Sequence, residues 1–420
     1  MKSNSGKQPQ DLPIILSGIL LGVLVYYIVM EEIPLSLSDY HGHLYVYLPL
    51  FHSGSWLEAW KTTPYCLWHI LVLLLNSLLH VPLEASAAFI SSVFHVFSYL
   101  ATYWMIQRYA ASRHFEISSV EAAAAAFGLS VVQGLYFDWL DISGAFLGIF
   151  SINALHNPTQ TAVRAFVLLC FCLVCDIRGR QKDKQYHGIF FSVEKGLKKY
   201  YVLLAVLLLL STLAKPVFAE MFIPAVGLIM LFEWLDSIFK KDGLAAVRFR
   251  HCLHMLLCAL PSLACILLQF IVYYIWGRSY GEASSVIVTD FLEVWSLFSE
   301  NIILSIVLGM AFPLFMLLID GSFFMKNDMG KLSLTGYGVG FLEAAFLGES
   351  GEKLSHGNFL WPMMCGMLLV WVTALLRLIE LSKKQDSIST SKRILLDTAW
   401  VLFCFHVLFG FLYTNSLLSK

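Results

Sequence analysis

The segment SDYHGHLY, just after the first apolar run, places Asp39, His41 and His43 within five residues of one another. A carboxylate in that position can take the proton of a hydroxyl as a general base, given a neighbouring imidazole or a desolvated setting. The H-x-H spacing with an aspartate also invites a divalent metal, and a helix cap or a polar interfacial turn is a simpler use of such residues. Further along, SINALHNPTQTAVRAF carries a polar stretch into a helix at Asn157-Pro158-Thr159, where proline suits the first turn. His156 and Asn157 then lie at a helix N-terminus, whose free N–H groups and dipole favour an anion such as phosphate. Arg164, about two turns deeper, is costly in lipid and calls for a cavity or a partner. Plain capping by Asn157 with Arg164 reaching outward is the alternative.

Two more interruptions follow. In LAKPVFAEM, Lys215 and Pro216 break an apolar run and Glu220 follows one turn later; an ammonium at such depth needs an anion, which either Glu220 or a phosphate supplies. In FLEAAFLGESGEKLSHGNFLW, the residues Glu343, Glu349, Lys353, His356, Asn358 and Trp361 crowd one connection, with Gly348, Gly351 and Gly357 allowing a tight backbone path. Carboxylate, imidazole, amide and indole together suit sugar hydroxyls and pyrophosphate, although hydrated connectors also have this composition.

The elements that position these groups are set by composition. Of the 420 residues 58% are hydrophobic and 14% charged, and the mean hydropathy is +0.71, so the chain reads as an all-α, multi-pass membrane bundle forming a single transmembrane domain over 1–420. The net charge of -1 has no basic patch with interleaved aromatics, which removes nucleic acid as a partner. Eleven spans are expected, at about 13–30, 86–107, 119–137, 157–177, 199–214, 217–234, 251–277, 301–320, 335–348, 358–380 and 395–415. Those at 199–214, 217–234 and 335–348 are short, suggesting helices that end or bend at a water-filled cavity. The run from Leu12 reads as a retained signal anchor. The Ala run 122–126 suits close helix packing. The nine cysteines sit in or beside apolar runs and read as small buried hydrophobes rather than zinc ligands.

Charge gives sidedness. Basic loops 178–198, 235–250 and 381–394 alternate with loops 138–157, 278–300 and 349–358, which carry His, Asp, Glu and Asn with few cations. Cations mark the cytoplasmic side, so the N-terminus with Lys2 and Lys7 is expected inside and the chemistry outside. An even number of crossings between the N-terminus and loop 178–198 makes 64–80 a helix that lies in or dips into the membrane without spanning it. The aromatic loop 31–63 would roof the outer cavity with interfacial helices. No P-loop, Rossmann glycine pattern, GxSxG, HExxH or CxxC pair is present, which argues against ATP hydrolysis, nicotinamide redox, serine hydrolysis and zinc proteolysis.

These features together resemble the GT-C superfamily of membrane glycosyltransferases. SINALHNPT is similar to a "GxxSPNxWHNPT" loop, LAKPVFAEMFIPA to "KPSFxxxxxPA", and LGESGEKLSHGNFLW to "ExGxRxxxGNFxW", all found in a bacterial multi-pass subgroup of that superfamily. The resemblance implies a polyprenyl-phosphate sugar donor, a glycan or lipid acceptor, and Asp39 as the acidic base. It matches His43 to the polar position after that base, and it aligns His156 to Thr159, Lys215 with Pro216, and Glu349, Gly351, Gly357, Asn358 and Phe359 with the three motifs. Tyr40 replaces a second acidic residue, Leu155 a tryptophan, and Lys353 the arginine of the last motif, which forgoes a bidentate phosphate clamp. The expected function is sugar transfer with inversion at the outer face of the cell membrane. Asp39 acts on the acceptor; His41, His43, His156, Asn157, Arg164, Lys215, Glu220, Glu349, Lys353, His356 and Asn358 bind substrate; the sequence specifies no cofactor and leaves a divalent metal open. The competing expectations are a transporter or flippase for a lipid-linked or anionic solute, and a polysaccharide polymerase.

Overall fold

An apolar chain of this length must close its backbone hydrogen bonds within itself, because lipid offers no water to do so. The computed structural model describes residues 12–36, 38–137, 151–190, 196–276, 284–384 and 389–418, and these are helical almost throughout. Lys2 and Lys7, residues 138–150 of the polar loop 138–157, and parts of loops 178–198, 278–300 and 381–394 lie outside the described residues.

The chain starts with α1 (Leu12–Glu32), then a series of short pieces: α2 (Asp39–His41), a π-helical stretch (Gly42–Tyr47), α3 (Leu48–His52) and α4 (Trp56–Thr62). Next come α5 (Leu67–Leu79), α6 (Leu83–Ser112), α7 (Ser119–Val131), α8 (Pro158–Lys182), α9 (Lys198–Ala214), α10 (Val217–Lys240) and α11 (Ala245–Phe270), which runs on into a second π-helical stretch (Ile271–Trp276). The last third holds β1 (Val286–Val288), α12 (Glu293–Ser296), α13 (Ile302–Gly309), α14 (Ala311–Lys326), α15 (Asp328–Phe346), β2 (Leu347–Glu349), 3-10 turns at Gly351–His356 and Asn358–Leu360, α16 (Trp361–Lys383) and α17 (Thr390–Leu418).

The protein is an all-α membrane bundle. Among the described residues seven helices are long and apolar enough to cross a bilayer, or eight if α13 and α14, bent by 70° at their junction, form one span. This is fewer than the eleven expected, and the differences have local causes. The run 119–137 stops at α7, 13 residues long, because Val132 is extended and the Gln133 N–H turns to the His406 carbonyl at 3.1 Å. The run 301–320 breaks at Met310, since Pro313 has no N–H to give the Gly309 carbonyl one turn back. The shortness expected at 217–234 is not found, since α10 has 24 residues; α15 reaches 19 by starting earlier, at an Asn327 cap whose side chain accepts from Met329 N–H, and is not among the seven. α9 remains short at 17 residues, and α5, within 64–80, has 13.

α8 and α16 are buried along nearly their whole length, whereas α1 and α17 expose Ile15, Leu16, Ile19, Leu408 and Leu412, the surface that lipid chains cover. The tightest helix pair is α15 with α16. A Cβ on Gly340 would stand 2.6 Å from the Met363 Cα, and one on Gly366 2.6 Å from the Tyr337 Cα, so only glycine lets these backbones approach, as small-residue faces do in membranes. The end of the bundle away from β2 is tied by ions. Arg178 on α8 reaches Glu233 on α10 at 2.7 Å and Asp328 on α15 at 2.9 Å, and Arg377 on α16 meets Asp320 of α14 at 2.6 Å. At the other end, antiparallel pairing of β1 with β2 sets Val286 opposite Glu349 and fixes where that carboxylate points.

Gly366→Leu should lower the stability of the detergent-purified protein by about 1–3 kcal/mol or more, the usual range for overpacking, measured by thermal melting. Gly338→Ala, on the same helix as Gly340 but with no neighbour within 4 Å of its would-be Cβ, should be neutral or slightly stabilising.

Candidate functional site

Ser38 caps α2 by accepting from the Tyr40 N–H at 3.2 Å, which places Asp39 in the first turn with its carboxylate exposed. Asn157 caps α8: its Oδ1 accepts from the Gln160 N–H at 2.8 Å and the Thr159 hydroxyl at 2.9 Å. With that oxygen committed, the amide nitrogen faces away from the helix and donates to Asp39 Oδ2 at 2.7 Å. The same Asn157 oxygen receives the Lys215 ammonium at 3.4 Å. One amide therefore joins an anion on α2 to a cation at the α9–α10 junction.

Lys215 is 4% exposed, and its Nζ sits 3.9 Å from the centre of the Trp361 ring, a cation–π contact strengthened by desolvation. Burial pushes its pKa down to about 8, against the opposing pull of Asp39 and Glu220. Across the cavity the buried Glu349 accepts from the Tyr274 hydroxyl at 2.9 Å and from the Asn358 amide. Tyr47 lies between the two sides. Its pKa is raised by burial and then by both carboxylates, Asp39 and Glu349.

These groups line a cavity of about 410 Å3. Of the residues expected from sequence, Asp39, His43, Asn157, Lys215, Glu220, Glu349, His356 and Asn358 all face it. The other four do not line it. His41 is bonded through Nδ1 to the Ile33 carbonyl at 3.0 Å. His156 lies behind Trp361, its ring 5.7 Å away and its Nδ1 3.3 Å from the Tyr413 hydroxyl. Arg164 is buried and donates to the Ile152 and Leu129 carbonyls at 2.6 and 2.7 Å, which fastens the segment before α8 to α7. Lys353 stands 3.0 Å from the hydroxyl of Tyr273, a wall residue, with its ammonium over that ring.

Sequence reasoning missed Tyr47, Tyr65, Gln269, Tyr273 and Tyr274 as wall residues. Both π-helical stretches reach this wall, through Gly42, His43 and Tyr47 in the first and Tyr273 and Tyr274 in the second. π-Helical turns inside longer helices often occur at functional sites, and the extra residue per turn here brings adjacent tyrosines toward one cavity. Among the described residues no group of three or more His, Cys, Asp or Glu could hold a metal ion, and the two imidazoles of the H-x-H have different partners. The surface hydroxyls, amides and aromatic faces suit a sugar, and the ammonium suits an anion.

A larger cavity of about 840 Å3 between α1, α7, α16 and α17 is lined mainly by apolar groups, and Glu121 and Lys383 on its wall are already paired at 2.5 Å. It offers no free polar group for chemistry of the kind found beside Asp39. Comparison with protein-family models, with curated proteins and with solved structures finds no match for this chain.

Proposed function

We propose that the protein is a membrane glycosyltransferase of GT-C type, which moves one sugar from a polyprenyl-phosphate donor to a glycan or lipid acceptor at the outer face of the cytoplasmic membrane. The observation that carries this reading is the Asp39–Asn157–Lys215 chain on the wall of one cavity. Asp39 takes the proton of the acceptor hydroxyl as its oxygen attacks the anomeric carbon; the bond from that carbon to the phosphate oxygen breaks with inversion, and Lys215 stabilises the negative charge left on the lipid phosphate. Glu349, Asn358 and His356 bind sugar hydroxyls.

The helix ends support an anion in this cavity. Asn157 caps α8, Pro216 and Val217 open α10, and Trp361 opens α16, and all four residues line the cavity. Three helix dipoles thus bring their positive ends to it. The same three helices finish in Lys182, Lys240 and Lys383, and Arg248, Lys392 and Arg393 stand near the starts of α11 and α17. Cation-rich ends opposite the cavity fit a cytoplasmic side there and an outward-facing site. Eleven crossings need α7, α9 and α15 as spans together with the bent α13–α14 pair; with α5 as a non-spanning helix and the cation-rich ends facing the cytoplasm, an even number of crossings then precedes loop 178–198, in keeping with an N-terminus inside. Loop 31–63 then roofs the site. A flippase or transporter would also carry intramembrane charge such as Glu220, and it is separated by movement of lipid-linked sugar across vesicles without a new glycosidic bond.

Replacing Asp39 by Asn should reduce transfer by about 100- to 10,000-fold, the usual contribution of a positioned base, with the melting temperature unchanged. Purified protein in proteoliposomes, supplied with polyprenyl-phosphate sugar and scored for product, gives the answer; full activity would remove Asp39 from this role.

The Lys215 pKa predicts a pH effect of definite sign. Its ammonium persists below about 8, so the affinity for an anionic probe such as dodecyl phosphate should fall as pH rises through that value, and Lys215→Arg should move the fall to higher pH. In the unfolded chain a lysine titrates near 10.4, so between about 8 and that value the unfolded state binds more protons and stability rises with pH. Below about 8 the cost of burying the charge is fully present. Lys215→Met should therefore raise the melting temperature at pH 7 while abolishing transfer, a pairing that separates a functional cation from a structural one.

A further inference from the structure

Lys215 gives one wall of the cavity its cation; the wall across from it holds a buried anion without one. Glu349 is 2% exposed, and no lysine, arginine or histidine forms an ion pair with it among the described residues. Lys353, four positions along, is turned onto the Tyr273 ring and hydroxyl instead. Two other carboxylates, Asp39 and Glu220, line the same cavity against the single ammonium of Lys215. An anion bound at Lys215 uses that charge and leaves Glu349 unbalanced. The frame around Glu349 is firm: β1 holds β2 in register, and Gly357, at a φ of +61°, turns the chain so that Asn358 comes back to the carboxylate.

The directions of the hydrogen bonds decide what this wall has left to offer. The Tyr274 hydroxyl donates to Glu349 Oε1 at 2.9 Å, and the Asn358 amide nitrogen donates to Oε2. A carboxylate only accepts, so the phenol proton is spent and Tyr274 keeps a lone pair. Asn358 keeps its Oδ1 and one N–H, and Glu349 keeps the remaining lone pairs of both oxygens. Acceptors are therefore in surplus around a buried negative charge. A hydroxyl brings one proton, two lone pairs and no charge, whereas an ammonium brings three N–H donors, no acceptor and the missing positive charge. Burying a carboxylate without a counter-charge is costly, and the ammonium removes that cost. A metal finds less here, because among the described residues no group of three or more His, Cys, Asp or Glu converges to hold one.

We propose that Glu349, Tyr274 and Asn358 form a site for a primary ammonium group, so that the ligand of this cavity is zwitterionic, with its anion at Lys215 and its ammonium at Glu349. On the transferase reading the ammonium is an amino substituent of the sugar, standing in place of one hydroxyl. That assignment rests on the transferase reading; the ammonium site does not. A phosphoethanolamine lipid headgroup carries the same pair of charges and is the other source of such a ligand.

Calorimetric titration of the full-length protein in phosphatidylglycerol nanodiscs, which contain no amine, compares aminoalkyl phosphates of two to six carbons with alkyl phosphates of equal length. At pH 7 the best aminoalkyl phosphate should bind about tenfold tighter or more than its plain counterpart, the scale of a hydrogen bond to a charged group. Capping the nitrogen with methyl groups keeps the charge and removes the donors, and should remove most of the gain. A trimethylammonium probe that binds as tightly would point to the tyrosine faces and overturn the site. Glu349→Gln, which keeps the side chain's shape, should erase the ammonium preference while alkyl phosphate affinity is retained or improved. Equal binding of both probe series by the wild-type protein, read without any variant that might misfold, would overturn the inference, as would a preference that survives Glu349→Gln. Displacement of the best probe by glucosamine-1-phosphate and not by glucose-1-phosphate supports the amino sugar. Displacement by dihexanoyl phosphatidylethanolamine in its place supports the lipid headgroup and removes the sugar. The titration needs no turnover. If no ammonium preference exists while Asp39→Asn still abolishes transfer, the ammonium site falls alone; if the preference holds while Asp39→Asn stays active, the transferase reading falls alone.

Discussion

A side-chain amide has an acceptor end and a donor end that cannot be exchanged without turning it over, and Asn157 uses both. Its oxygen is held by the α8 N-terminus and by Lys215, which obliges its nitrogen to face Asp39. Turning the amide over would put its nitrogen against the helix N–H groups and the ammonium, leaving buried donors unpaired at a cost of about 1–3 kcal/mol each. The orientation of the carboxylate in the first loop thus follows from how a helix begins more than a hundred residues later. Much of the rest serves that contact: Arg164 fastens the segment preceding α8, and the glycine-lined seam of α15 and α16 brings Trp361 and β2 to the same cavity.

Keeping Lys215 buried is unfavourable for the empty protein. Its charge is lodged between an indole face and an amide oxygen with no carboxylate at ion-pair distance among the described residues, and its depressed pKa is the sign of that strain. Under the proposed transferase function, a ligand charge is what completes this group. The converging N-termini of α8, α10 and α16 point the same way, since oriented backbone dipoles attract an anion without any titrating group. At the opposite end of the bundle Arg178 and Arg377 are paired with acidic partners, so those charges hold helices together.

The site was more legible in the sequence than its walls. Asp39, Asn157, Lys215, Glu349 and Asn358 stood out because polar residues interrupting apolar helices are costly and so have a reason to be there. Cost does not reveal direction. His41 and His43 are two residues apart, and helical residues at that spacing face different ways, so only one of them lines the cavity. Arg164 was equally costly and equally visible, yet its partners are carbonyls of the chain itself. The tyrosines could not be found because an aromatic in an apolar run looks the same whether it meets lipid, a neighbouring helix or a ligand. Tyr273 and Tyr274 reach the wall through a π-helical turn that no residue pattern announced. Helix existence was readable nearly everywhere; helix length was not. The ends of α7 and α13 depend on a carbonyl from α17 and on a single proline.

If the protein transfers sugar as proposed, the polyprenyl-phosphate group sits beside Lys215 and not in the apolar groove lined by α1, α7, α16 and α17. A diazirine-bearing polyprenyl phosphate, irradiated with the wild-type protein in proteoliposomes and mapped by mass spectrometry, tests this directly. The account predicts cross-links in the peptides around Asn157, Lys215 and Trp361, competed by unlabelled polyprenyl phosphate. Competed cross-links confined to α1, α7 and α17 would contradict it.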